Sequence, residues 1–227
     1  MKRLLLLLFT FATIGAQDYS LQFDGNDDYV EIFDNDIFDF GSDTNFTIST
    51  WIIIHEIEED FQGLIVKHEY PDYNIGFQFV LNARDDWNPN LGFEYNSHGS
   101  RAETTLQINE WYYVTMVGQR SEQKISLYLN GNLELEVINP MFNENIDNSS
   151  SIYIGVDRSL ARYFKGNIDE LGIWNYALSQ QEINEYMEIL PMVDEEGLAG
   201  YWNFNAGSGN TLYDHSGNGN PGTINGA

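Results

Sequence analysis

Residues 124–138, KISLYLNGNLELEVI, set Asn130–Gly131 between two runs in which apolar and polar residues alternate. Asn-Gly supplies the positive φ angles that a two-residue hairpin demands, so the chain is expected to reverse here between antiparallel strands. Comparable signals recur. FTISTWIII (46–54) alternates at its start and is β-branched throughout, and NIGFQFVLN and LGFEYN form a pair across the loop ARDDWNP. EWYYVTMVGQ, SIYIGV and NIDELGIWN continue the series. Short strands at this spacing, with turn chemistry between them, predict an all-β fold, an antiparallel two-sheet sandwich of jelly-roll type. Trp51, Trp111, Trp174 and Trp202 fall within strands and are expected in the core.

One short C-terminal amphipathic helix is predicted over LSQQEINEYMEIL. Ser179 and Glu182 stand at capping-box spacing, Ile183, Tyr186, Met187 and Leu190 share one face, and Pro191 ends the pattern. Beyond it, Leu198 to Phe204 reads as a strand. The rest is rich in Gly, Asn and Ser and reads as turns with no closing strand.

Such a fold gets no covalent help, because the chain has no cysteine. It must stand on its hydrophobic core, and Cys-based zinc sites, a thiol nucleophile and a lipid-modified cysteine anchor are excluded. Lys2 and Arg3, the apolar run Leu4 to Phe9 and the small residues before Gln17 match a secretory leader cleaved after Ala16. Residues 1–16 are therefore expected to be a signal peptide, and the protein secreted or held at the cell surface. Without Lys2 and Arg3 the chain carries 8 basic against 35 acidic residues, a formal charge of −27. That surface repels nucleic acid and anionic lipid and attracts cations, calcium above all outside cells. No later segment is apolar enough for membrane insertion.

The acidic stretch LQFDGNDDYVEIFDND (21–36) looks at first like a metal loop. An EF-hand starting at Asp24 would need Gly at its sixth position and Glu at its twelfth, where this chain has Tyr29 and Asn35. His55, His68, His98 and His215 are scattered without metal-ligand spacing. No G-x-S-x-G or phosphate loop occurs, and the glycines of GSGNT and SGNGN belong to turns.

Seven segments occur in an order that resembles concanavalin A-like, laminin G-like jelly rolls of the bacterial, pentraxin-related branch: LQFDGNDDYVEI, NFTISTWI, INEWYYVTMV, ISLYLNGNL, IYIGVD, KGNIDELGIWNYALSQQEI and GLAGYWNFNAGSGNTLYDHSGNGNPGTINGA. The resemblance implies a laminin G-like domain over 17–190. In that family an element like the last one commonly precedes the L.FDG.DDYV strand, whereas here it comes last. Residues 191–227 therefore either complete the same sandwich in permuted order or begin a second, truncated domain.

Because first and last strands lie side by side in such sandwiches, the resemblance could bring Asp24, Asp27 and Asp28 near Asp169 and Glu170 as a structural calcium site. Gathering those carboxylates without a cation costs several kcal/mol; the plainer reading turns them outward to cap turns. The ligand-binding calcium cluster of pentraxins is not expected, since Arg158, Arg162 and Lys165 occupy the corresponding loop. Laminarinase-like hydrolases of this architecture need two Glu about four residues apart with an Asp between, all facing a cleft. Neither HEIEED (55–60) nor Asp169–Glu170 has that arrangement, so no catalytic residue is assigned.

What remains is binding. Sugars stack on exposed aromatic faces while amides and carboxylates take their hydroxyls. Trp87, Tyr70 and Tyr73 fall in predicted loops, with Arg84 and Asn88 as polar partners, although Trp87 would equally suit burial under its own loop. The expectation is a secreted, non-catalytic binding or adhesion module for carbohydrate or an extracellular protein, part of a larger extracellular assembly. The alternatives are a divergent laminarinase-like hydrolase and a structural spacer.

Overall fold

A computed structural model describes residues 19–57, 61–69, 75–83, 88–96 and 98–227. In chain order its strands are β1 (Leu21–Asp24), β2 (Tyr29–Ile32), β3 (Phe46–Ile54), β4 (Phe61–His68), β5 (Gly76–Asn82), β6 (Asn90–Tyr95), β7 (His98–Thr105) and β8 (Trp111–Gln119). They continue with β9 (Lys124–Leu129), β10 (Asn132–Ile138), β11 (Ile152–Ile154), β12 (Lys165–Trp174), β13 (Leu198–Trp202), β14 (Thr211–Leu212) and β15 (Gly222–Asn225). One helix, α1 (Gln180–Tyr186), lies between β12 and β13. All ladders are antiparallel.

They form two sheets. Sheet A runs β1-β12-β3-β8-β9-β10, with β13 also on β12, and sheet B runs β14-β15-β2-β11-β4-β5-β6-β7. This is the sandwich of jelly-roll type that the strand pattern predicts. Alternation explains how it closes. Phe46, Ile48, Ile52 and Ile54 of β3 turn inward to meet Phe77, Phe79 and Leu81 of β5, and Phe40 stacks on Phe46 at 4.9 Å between ring centroids. The interior also buries Phe23 and Trp202 completely, so both ends of the chain contribute to one core.

Residues 191–227 supply β13 to sheet A and β14 and β15 to sheet B. No closing strand is expected from the residue pattern, yet β15 pairs with β2 through Gly222↔Ile32, Thr223↔Glu31, Ile224↔Val30 and Asn225↔Tyr29. Four residues with a single large apolar side chain are too few for alternation to show.

The hairpin of β9 and β10 turns at Asn130 (φ 48°) and Gly131 (φ 74°), both left-handed as a two-residue turn of this type requires. Gly131 also lacks room for a side chain, because a Cβ there would collide with Asn184 of α1. Gln180 donates to the Gly131 carbonyl at 2.8 Å, so the helix seats on the turn. A second apolar cluster, including Tyr113, Trp174, Ile183 and Tyr201, packs α1 against the outer face of sheet A. The capping box at Ser179 is present, but α1 stops at Tyr186 and Leu190 is 52% exposed. The residue before a proline is driven out of the α region, so the apolar face ends earlier than its periodicity suggests. Trp111 departs from expectation as well: it opens β8 and is 43% exposed rather than buried.

Candidate functional site

Inward residues of sheet B leave a regular set of outward ones. Val30, Ile32, Ile152, Ile154, Phe77, Phe79, Phe93 and Tyr95 belong to the core, so Tyr29, Glu31, Tyr153, Gln78 and Glu94 face the other way. The register aligns them. Glu31 pairs with Tyr153, Tyr153 with Val66, Val66 with Gln78, and Gln78 with Glu94, giving one row of side chains across five strands. Tyr29 and Tyr153 hold their rings 6.1 Å apart at one end. The Tyr153 and Ser151 hydroxyls donate to Glu31 Oε1 at 3.3 and 2.8 Å.

The segment after β11 completes the other end. It crosses so close to β4 that a Cβ on Gly63 would overlap the Val156 carbonyl, and only glycine fits beneath it. Asp157 is buried and accepts from the backbone of Ser159, Ala161 and Arg162, from the Ser159 hydroxyl and from the Arg162 guanidinium, which fixes the loop. The loop places Arg158 over the sheet. Its backbone N–H donates to Gln78 Oε1 at 3.1 Å, its Nη1 to Glu94 Oε2 at 2.7 Å, and the Gln78 amide also donates to Glu94 Oε2 at 2.7 Å. Tyr163, in bridge contact with Val156, lies near Tyr29 and Asp27; burial first, then those neighbours, pushes its phenol above the usual range. Burial and then Glu31 do the same to Tyr153. The face thus offers half-buried tyrosine rings at one side and the partly exposed Glu94 carboxylate and Arg158 guanidinium at the other, braced by the fully buried Gln78. That combination can stack a sugar ring and satisfy its hydroxyls.

Sequence reasoning missed this face because it looked for aromatics in loops. The signal was present in YVEI, GFQFV and LGFEY, where Tyr29, Glu31, Gln78 and Glu94 are the polar or amphipathic beats of alternating strands. Of the five residues expected to bind ligand, Tyr70, Tyr73, Arg84 and Trp87 lie outside the described residues. Asn88 is exposed beside the start of β6. The described ends flanking these segments, His68 with Gly76 and Asn82 with Asn90, stand at opposite ends of β5. Those two ends of β5 are roughly 20 Å apart.

The expected calcium ligands divide. Asp24, Asp27 and Asp28 each bring a carboxylate oxygen within 4.8 Å of the others. Asp28 is buried, and desolvation, then repulsion from Asp24 and Asp27, raises its carboxyl above the ordinary range. Asp24 is held below that range by the backbone and side-chain N–H groups of Asn26. Three hard oxygens at that spacing are the donor type calcium takes, although calcium needs more than three.

Asp169 and Glu170 are not among them. β1 pairs Asp24 with Lys165, so Asp169 lies about 13 Å further along β12. Both residues serve a bulge where β1 and β13 meet end to end on the same edge of β12. Glu170 takes φ 51°, its carboxylate accepts from the Tyr201 hydroxyl, and Thr50 donates to the Asp169 carbonyl at 2.7 Å. Shared edges of β12 explain why these acids stay away from the first loop.

A model of the concanavalin A-like lectin/glucanases superfamily matches residues 24–184. Among solved structures, a candidate carbohydrate binding protein from Bacteroides ovatus superposes with a TM-score of 0.72 at 20% identity. The match covers 92% of this chain and 59% of that one, so this chain spans little more than half its length. A heptameric pentraxin from Limulus polyphemus aligns with a TM-score of 0.59 at 15% identity, over 76% of this chain and 83% of that one. The CBM40 of a Ruminococcus gnavus IT-sialidase, bound to α2,3 sialyllactose, gives 0.57 at 13%, over 73% and 95%. No curated protein sequence matches.

Proposed function

From its membership of the concanavalin A-like lectin/glucanases superfamily, to which this chain belongs, we propose that the protein is a secreted, non-catalytic module that binds a neutral glycan across the outer face of sheet B. The partly exposed Glu31, Tyr153, Glu94 and Arg158, aligned across sheet B with the buried Gln78 bracing the last two, are the single observation that carries this reading. Their side chains are fixed by one another before any ligand arrives, which limits the ordering cost of binding. The carbohydrate-binding neighbours in Bacteroides ovatus and Ruminococcus gnavus favour a sugar as the ligand class. Charge favours a neutral one, since Arg158 is already matched by Glu94 and the chain repels anions. In this reading the module is a targeting or adhesion part of a larger extracellular protein.

Calcium belongs to the same proposal. Asp24, Asp27 and Asp28 would hold it beside Tyr163 and Tyr29, where it would offset the crowding of three carboxylates and stiffen that edge of the sugar face.

A hydrolytic role would require two carboxyl groups about 5 Å apart, or up to about 9.5 Å for an inverting enzyme. Glu31 and Glu94 on this face are four strands apart, roughly 19 Å. That separation favours binding over cleavage. The test is a glycan array with and without calcium, followed by incubation of the best ligand with the protein. Saturable retention of a neutral glycan with no release of reducing ends is the expected result. Release of reducing ends, or no retention of any glycan, overturns the proposal.

A further inference from the structure

The side of the molecule beyond α1 carries an apolar run that none of the described residues covers. Ile189, Leu190, Met192 and Val193 are 65%, 52%, 74% and 64% exposed, on either side of Pro191. Scattered exposed apolar side chains are ordinary, but four within five residues are a concentration of the kind that marks an interface. The backbone beneath is held in place: Met192 N–H donates to Glu195 Oε2 at 2.9 Å, and Asp194 N–H to the Ser216 carbonyl at 3.0 Å.

Beside the patch opens a cleft of about 770 Å³ walled by Tyr176, Tyr186, Glu182, Glu185, Glu195 and Glu196. Tyr186 is braced from both sides, its ring 5.0 Å from Trp174 and its hydroxyl bonded to Glu195. Two tyrosine rings with carboxylates around them suit the head of a lysine or arginine. No Lys or Arg follows Lys165 in the sequence, so the chain does not supply a cation to this side from that half.

We propose that this surface docks a basic protein segment, its apolar side chains covering Ile189, Leu190, Met192 and Val193 while a Lys or Arg enters the tyrosine-walled cleft. Charge selects that occupant over the alternatives. A second copy of the chain meeting the patch symmetrically would press the two acidic rims together, and anionic lipid would be repelled by the same rim. The site lies on the sheet A side of the sandwich, on the helix rather than on the sugar face, so it is a second function independent of the glycan reading.

The probe is a fluorescein-labelled synthetic 14-residue amphipathic helix of Leu, Ala and Lys, titrated with the intact protein and followed by anisotropy. Saturable binding is expected, at least tenfold weaker for Met192→Ser/Val193→Ser and for Glu185→Gln/Glu196→Gln. A companion peptide with Glu in place of Lys should not bind. Unchanged melting temperatures and glycan retention show that the variants fold. Equal affinity of the wild type and the double serine variant would reduce the attraction to net charge and overturn the proposal. So would equal binding of the Glu peptide. Dimerisation in sedimentation, or adsorption to phosphatidylcholine vesicles, that the double serine variant abolishes would assign the patch to a second copy or to lipid, and likewise overturns it.

Discussion

Lys67 Nζ lies 2.6 Å from Asp34 Oδ1, with only 1% of the lysine side chain reaching solvent. Asp39 stands 3.3 Å away on the other side, and the Asn148 and Ser150 carbonyls accept the remaining donors. One cation therefore ties the segment after β2 to the segment before β11 at the mouth of the sandwich. Burial raises the Asp39 carboxyl and Lys67 opposes that rise, so removing the ammonium leaves the acids without their counter-charge. Lys67→Ala should cost about 3 kcal/mol, the range for breaking a buried pair. Urea unfolding checks this, and Lys67→Met combined with Asp34→Asn should recover part of the loss.

His68, the next residue, gives a pH dependence of defined sign. Burial first, and then the positive charge of Arg158, holds its imidazole below the ordinary value of 6.5. The folded state keeps the ring neutral where the unfolded chain takes up a proton, so the unfolded state binds more protons below pH 6.5. Stability should fall as pH drops from 7.5 to 5.5. In His68→Gln, whose amide can still donate to the Glu69 carbonyl that accepts from the ring, the decline should be smaller. Denaturation midpoints at the two pH values measure the difference. Equal slopes in both proteins would refute the assignment.

On the sugar face, Tyr153→Ala and Arg158→Ala should each weaken binding of the retained glycan at least tenfold, about 1.4 kcal/mol. Arg158→Ala leaves Glu94 still hydrogen-bonded to Gln78, so its melting temperature should stay within a few degrees of wild type. Titration calorimetry with thermal melts separates lost recognition from lost folding.

For calcium, the discriminating variant is Asp27→Asn, because Asp27 is exposed while Asp28 accepts the Asp24 N–H at 2.8 Å. Calcium at 100 times its Kd should stabilise the wild type by about 2.7 kcal/mol. Chelator should reverse the shift, and Asp27→Asn should abolish it while melting like the metal-free wild type. A melting temperature indifferent to chelator removes calcium from the proposal.

How much of this was legible beforehand follows from the range of each signal. The Asn130–Gly131 turn and the cap at Ser179 are local, and they stand where their residues place them. Long strands such as β3 and β8 repeat their alternation often enough to be read. β15 is too short, and its pairing with β2 depends on residues some 190 positions away. The row on the outer face of sheet B is hidden for a related reason. Gln78 and Glu94 become neighbours of Arg158 only through the order of strands in sheet B, which no single stretch encodes. Asp169 and Glu170 were misplaced because their bulge is set by two strands sharing one edge.

The union of β2 with β15 also governs when the molecule can exist. Even with every element between them synthesised and collapsed, sheet B keeps an open flank at Glu31 until Thr223 has left the ribosome. Ring closure over so long a chain is entropically slow, and no disulfide can hold the ends together meanwhile. Folding should therefore wait on β15, with chains shortened before Gly222 trapped as aggregation-prone intermediates.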